Sequence, residues 1–459
     1  MDSKTIMTLV ITAFLIINLV IGMQAGRGVK TVEDYAIGKK KWSSGALVMT
    51  YLATVIGDAY IYIIPEYIFT GGVAILIAEL CFPISHLFYA YVLSKKIKNF
   101  VGCISAGDIL NKLYGKKAQM IYGVMAPIYG LVVCGFQTYS IGVCINKFLG
   151  IEIFYSLLVG GIILVLYTIL GGIKSVVATD IFQFLALSFC MIIIAILAIL
   201  KAGGPLAVIY QIPKEHLSFF NDSRVFMYIS MFVIVGVLQS GVNDPARMQR
   251  MLMAGESQIK FKNVFKKVAL FEVIMLIVLS FTTYSCYILY PKSNPKEVIF
   301  TLSENLFNSG NFMNYLVCVG FISVFLSTGD SFLQSASVSF YNDFIINTSY
   351  ISKKNLSPNK QLLLIRFGTL FLGILSIIFA SVHGPQVRVD YVLGILAPTI
   401  TAPLLLGILG LKRSSKSFWT SFISGGGICI LLLSFASPLQ PFAVILGMLF
   451  SFLVFLLFK

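Results

Sequence analysis

Asp58 lies near the middle of Thr50 to Gly72, an apolar run long enough to cross a bilayer, with Gly57 beside it and Pro65 and Glu66 following one to two turns later. An aspartate at mid-bilayer costs on the order of 2.5–3.5 kcal/mol on insertion scales, so it requires a use or a partner. A second polar concentration is the segment 323–339, where Ser323, Ser327, Thr328, Asp330, Ser331, Ser335, Ser337 and Ser339 crowd together. Positions 324, 327, 328 and 331 share one helical stripe. A stripe of hydroxyls beside a carboxylate offers hard oxygen ligands, the kind a sodium ion prefers. Serines also serve simply to let helices approach, and Ser335, Ser337 and Ser339 fit that use best. Other polar groups inside apolar runs are Glu79, Asp180, Gln183, Gln239 and Ser240. Facing lipid, the carboxylates together would cost more than about 10 kcal/mol, so they must face protein, water or ions.

Two segments have the composition of interrupted helices. "ATVIGDAY" (Ala53 to Tyr60) places a glycine and a carboxylate at mid-span, and "VIVGVLQSGVNDP" (Val233 to Pro245) has Gly236, Gln239, Ser240, Gly241 and Asp244-Pro245. Unwound backbone in a membrane helix frees carbonyls that can bind cations and helix ends that can face a solute. Two such breaks five spans apart suggest an inverted repeat.

These groups must be carried by a helical membrane protein. The chain of 459 residues is 58% hydrophobic and 12% charged, with a mean hydropathy of +0.91. Its apolar runs are continuous over about twenty residues, which excludes a barrel of alternating ten-residue strands. About thirteen spans are expected from runs of this length: a leader (5–23), then 44–70, 72–94, 119–147, 152–170, 176–200, 225–242, 266–290, 312–344, 361–382, 389–410, 417–436 and 440–458. The leader is read as a span because its run of about nineteen residues exceeds a usual signal core. The sequence thus predicts one transmembrane domain over 1–459, with repeat one at 44–200, repeat two at 225–410 and trailing helices at 417–458.

Most of the 34 basic residues fall in loops that alternate to one side, which the positive-inside rule makes cytoplasmic. That places the N-terminus outside and Lys459 inside. The net charge of +15 follows from this bias and from attraction to anionic lipid, and calls for no nucleic acid. The eight cysteines form no CxxC pattern, and His86, His216 and His383 make no metal or triad constellation. Loops of at most about 25 residues leave no space for a soluble catalytic domain, so the expectation is not an enzyme.

Several stretches, in order, resemble the sodium:solute symporter family, whose members carry glucose, proline, sialic acid or pantothenate. They are Ala53 to Asp58, "GGIKSVVATDIFQ" (Gly171 to Gln183), "DPARMQRMLMA" (Asp244 to Ala254), "STGDSFLQSASVSFYND" (Ser327 to Asp343) and "GILAPTITAPLLLGILGLKR" (Gly394 to Arg413). The resemblance implies an all-α polytopic membrane protein of leucine-transporter type, a LeuT-like inverted five-helix repeat with one leading and two trailing helices. It also implies a coupling sodium ion held by the carbonyls of Ala53, Ile56 and Val324 and the hydroxyls of Ser327 and Thr328. Some members bind a second cation, which implies a site at Asp180 and the positions of Asp330 and Ser331. An aspartate at 330 departs from the family's serine, so a second sodium and a proton both stay open there. Solute contacts carried over from the family are Thr54, Asp58, Tyr60, Glu79, Gln239 and Ser240, with Asp390 a looser candidate. Glu79 falls where sugar carriers place a glutamate, but most of the remaining sugar-contacting set is unmatched.

For Asp58 three roles stand open: pairing with a cationic or amine group of the solute, hydrogen bonding within the helix break, or carrying a proton. Glu66 reads as a wet, interfacial residue. The expected function is sodium-coupled import of a small organic solute by alternating access in the cell membrane. The alternatives are a proton-coupled symporter, a non-transporting receptor of a small solute, and a channel.

Overall fold

The computed structural model describes residues 2–40, 42–218, 241–307, 312–349, 356–383, 389–411, 413–435 and 440–458. These residues are overwhelmingly helical. In chain order the helices are α1 (Ser3–Ala25), α2 (Val32–Ile37), α3 (Ser44–Val55), α4 (Ile64–Gly71), α5 (Ala74–Glu79), α6 (Cys81–Tyr91), α7 (Ala106–Tyr114) and α8 (Lys116–Leu149). There follow α9 (Ile153–Gly171), α10 (Ile173–Lys201), α11 (Pro205–Tyr210), α12 (Pro245–Ala254), α13 (Gln258–Leu289) and α14 (Val298–Leu306). The last are α15 (Phe312–Ser339), α16 (Pro358–His383), α17 (Val389–Leu409), α18 (Ser415–Ser434) and α19 (Ala443–Leu457).

Every expected span coincides with helix in this order except 225–242, of which residues 225–240 lie outside the described residues. Among the described residues eight helices are long and apolar enough to cross a membrane, or nine when the bent pair Ser44–Val55 and Ala59–Gly71 counts as one. The expected figure of about thirteen is therefore matched only approximately, because stretches such as Leu396–Leu409 and Ala443–Leu457 are apolar but short.

One helix is unlike the others. The apolar window of the span that begins with α15 is 89% buried, whereas the remaining full-length spans bury 28–61% of theirs. Ordinary spans show one flank to lipid, and α15 shows almost none. It packs against α8 and α10, with further contacts to α16, α9, α12 and α3. The hydroxyl-rich face read from the sequence is thus enclosed by protein.

Local sequence sets the entries and exits of these helices. Ser43, Ser105, Asp244 and Ser257 cap the starts of α3, α7, α12 and α13 by accepting a backbone N–H. At the α9–α10 corner Gly172 has φ +52, a left-handed conformation that L side chains rarely adopt, and a Cβ there would lie 2.5 Å from the Tyr35 carbonyl oxygen. Tyr35 is fully buried and fixes α2 against this corner through its hydroxyl, which donates to the Thr168 carbonyl (3.1 Å) and meets Thr369 Oγ1 (2.8 Å). The glycine pair therefore lets a short loop helix seat against the ends of two spans. Gly172→Ala is expected to destabilise the protein by at least about 1–2 kcal/mol from backbone conformation alone, read as a lower unfolding midpoint in detergent.

Candidate ion and solute site

The first span breaks where the sequence interrupts it. Helix α3 stops at Ile56 (φ −79°, ψ 83°), and the chain resumes in a wider π-turn at Ala59–Ile63 that leads into α4, with the two arms bent by 61°. Gly57 permits this: a Cβ on it would sit 2.9 Å from Thr328 Oγ1. The Gly57 N–H, which an unbroken helix would give to Ala53, donates to the Val55 carbonyl instead (3.0 Å). The Ala53 carbonyl is left to find another partner.

That partner comes from α15. Ser327 Oγ donates to the Ala53 carbonyl at 3.0 Å and also lies 3.0 Å from the Val324 carbonyl. Thr328 Oγ1 is 3.4 Å from the carbonyls of both Ala53 and Thr54. Ala53, Val324, Ser327 and Thr328 are thereby brought together, with Ile56 at the break itself. All are buried, so the cluster is rich in oxygen and closed to lipid. Hydroxyl protons rotate freely, so Ser327 Oγ and Thr328 Oγ1 can each serve as acceptors as well as donors.

One turn further along α15 a charged cluster forms. Asp180 of α10 accepts from the Thr50 hydroxyl and lies 3.7 Å from Arg250 Nη2. The same guanidinium nitrogen donates to Ser331 Oγ at 2.6 Å, and Ser331 meets Thr54 Oγ1 at 3.0 Å. Asp330 accepts from Tyr167 (2.7 Å) and Thr179 (3.4 Å) through one oxygen. Its other oxygen, and one oxygen of Asp180, have no hydrogen-bond partner among the described residues. Asp180, Asp330 and Ser331 are thus assembled as a group, and Thr54 turns toward them rather than toward Asp58.

Arg250 is the member that the sequence reading did not select. Its signal was present in "DPARMQRMLMA": Gln249 reaches the Ala36 carbonyl (2.7 Å) while Arg250, the next residue, reaches Asp180 and Ser331. Helix α12 therefore ties α2, α10 and α15 together.

The residues expected to meet solute are less concentrated. Asp58 is partly accessible, with Gln137 of α8 as a side-chain neighbour. Tyr60 has Glu272 and Glu79 as acidic neighbours and Arg247 as a basic one. Glu79 is 7% exposed and makes no hydrogen bond or ion pair among the described residues. Gln239 and Ser240 lie outside the described residues, as does the side chain of Asp390. Sequence reading also missed Gln137, which has one unpartnered amide oxygen, and the pairing of His86 with Glu272 (2.6 Å) and Tyr51 (2.8 Å). That last cluster joins α6, α13 and α3 through fully buried side chains. No spacing rule links residues 51, 86 and 272, so only packing could bring them together.

Comparison with known proteins agrees with this architecture. The profile of the Sodium:solute symporter family matches residues 35–424. The Sodium/sialic acid symporter SiaT of Proteus mirabilis is 21% identical over 94% of this chain and 90% of its own length. A solved substrate-bound, outward-open structure of a Na+-coupled sialic acid symporter superposes with a TM-score of 0.85 at 19% identity, covering 98% of this chain and 96% of that one. MhsT in complex with L-phenylalanine superposes more loosely, with a TM-score of 0.53 at 15% identity over 90% of this chain and 97% of that one. The fold is the leucine-transporter type, in a multi-pass membrane protein. With most of its length matched by the family profile, the chain belongs to the sodium:solute symporter family, a family of sodium-coupled carriers of small solutes rather than enzymes.

Proposed function

We propose that this protein imports a small organic solute bearing a cationic or amine group, driven by sodium. The carbonyls of Ala53, Ile56 and Val324 and the hydroxyls of Ser327 and Thr328 hold the ion. The observation that carries this reading is the meeting of the two α15 hydroxyls with carbonyls freed by the α3 break. An ion there touches two different helices at once, so its binding energy depends on how they sit relative to each other. That dependence is what coupling requires, because a ligand shifts a conformational equilibrium only by its differential affinity. Membrane potential adds about 2.3 kcal/mol per charge per 100 mV to the driving force.

The solute reading rests on Asp58 and Glu79. Neither carboxylate has an ion-pair partner among the described residues, and α8, the helix that supplies Gln137, has no basic residue between Lys117 and Lys147. A cation is the group that these two carboxylates attract, with the Arg247 guanidinium near Tyr60 opposing it, and desolvated charge pairing strengthens the attraction. Tyr60 from the break, with Thr54, Gln239 and Ser240, completes the proposed set. On this reading the solute would differ in class from that of the sodium/sialic acid symporters among the relatives.

A second cation site is assigned to Asp180, Asp330 and Ser331. Arg250 compensates one of the two carboxylates, and Asp330 retains an oxygen without a partner. With both carboxylates ionised the group carries one excess negative charge, which a single proton or sodium would neutralise. Residues 44–200 and 225–410 are taken as the inverted halves, and the N-terminus as outside with Lys459 inside.

In proteoliposomes an imposed sodium gradient is expected to drive uptake, and Ser327→Ala with Thr328→Ala to reduce it at least about tenfold, equivalent to about 1.4 kcal/mol of ion binding. Uptake indifferent to sodium or to that pair would remove the coupling reading. Asp58→Asn is expected to abolish uptake of amines while sparing the sodium-induced rise in unfolding temperature; equal uptake of amines and carboxylates by the native chain would overturn the solute class. Asp330→Asn is expected to lower the charge moved per solute by one, measured from the voltage at which flux reverses.

A further inference from the structure

Away from the transport site, a cavity of about 620 Å³ opens between α1 and α10 beneath the α2 loop. Lys30, Lys39 and Lys174 line it with a single acidic residue, Asp34. The Asp34 carboxylate is only 3% exposed and is taken up on all sides, with Lys39 at 3.3 Å, Lys174 at 3.4 Å and the Thr31 hydroxyl at 3.2 Å. Burial alone would raise its pKa, yet the Lys174 and Lys39 ammoniums outweigh that and hold it below the ordinary carboxylate value. The rim keeps two positive charges in excess. The Lys30 ammonium has no ion-pair partner among the described residues.

The opposite wall is apolar. Ala178 and Ile181 of α10 form it, and their spacing continues along the helix as Leu185, Phe189 and Ile192, which are 55%, 55% and 46% exposed. Steps of three and four residues keep these side chains on one stripe. The cavity therefore opens into the surface that meets acyl chains. Trp42 lines the cavity too, its indole donating to the Ile37 carbonyl at 2.9 Å, and its ring suits the headgroup level of a bilayer.

We infer that this cavity binds an anionic phospholipid, its phosphate among Lys30, Lys39 and Lys174 and one acyl chain along the Ala178–Ile181–Leu185 stripe. Charge complementarity selects the headgroup, and continuity with the lipid-facing stripe selects a chain-bearing ligand over a free anion. The site stands next to the start of α3, whose far end is the broken segment at Ile56. It does not depend on which solute the protein carries.

The test is thermal unfolding of the full, delipidated chain in uncharged detergent, titrated with dioleoyl phosphatidylglycerol, dioleoyl phosphatidylcholine or glycerol phosphate. Phosphatidylglycerol is expected to raise the midpoint saturably and the other two to leave it unmoved. Lys30→Gln with Lys174→Gln is expected to raise the half-saturating concentration at least about tenfold by removing charge. Ala178→Trp, which fills the apolar wall without altering a charge, is expected to do the same, and it decides the matter if the lysine variant does not fold. Equal stabilisation by phosphatidylcholine would overturn headgroup selection, and equal stabilisation by glycerol phosphate would make the ligand a free anion. Unchanged half-saturation in a folded variant would place the lipid elsewhere.

Discussion

A backbone carbonyl released from its helix inside a membrane has to be satisfied by something other than water, and in this protein that need falls at Ala53 and Thr54. The supply comes from Ser327 and Thr328 on the most enclosed helix of the molecule. Much of the architecture follows from bringing these two surfaces together. Gly57 has no space for a side chain because Thr328 Oγ1 lies 2.9 Å from where its Cβ would be, and α15 must be surrounded by α8, α9, α10 and α16 because its polar face cannot meet lipid. The same requirement gathers the Ser327 and Thr328 hydroxyls against the Ala53 and Thr54 carbonyls in one buried place.

The charged cluster beside these oxygens follows a related rule. Two buried carboxylates, Asp180 and Asp330, stand near a single guanidinium, and isolated charges in such surroundings are costly unless paired and hydrogen-bonded. Thr50, Thr179, Tyr167 and Ser331 supply the bonds, drawn from α3, α10, α9 and α15. Arg250 reaches the cluster from α12, while its neighbour Gln249 holds the α2 backbone. A shift in any of these elements changes the company that Asp180 keeps. The cluster is therefore sensitive to the relative position of the helices in a way that a single-helix site would not be.

At the membrane surface the balance changes from satisfaction to attraction. Asp34 collects Lys39 and Lys174 and thereby fixes two ammoniums on the rim of an apolar cavity. Exposed lysines on flexible stems normally spend their charge in water. Here one buried carboxylate pre-positions them where a bilayer supplies counter-charges, next to a helix whose outer face is already apolar.

Hydropathy fixed the helical class, the order of spans and the place of the first break, because a long apolar run can satisfy its backbone only as helix and a glycine beside a carboxylate interrupts it. The stripe 324, 327, 328 and 331 was equally legible, since helical period alone puts those residues on one side. Family resemblance then paired that stripe with Ala53 and Ile56, something periodicity could not do. What the tertiary structure decided were contacts between residues far apart in the chain: Arg250 with Asp180 and Ser331, His86 with Glu272 and Tyr51, Gln137 beside Asp58, and the turning of Thr54 away from Asp58. Each depends on which helix faces lie opposite one another. A linear pattern tells which face of a helix is polar, but the neighbour that face meets is set only when all the helices pack at once.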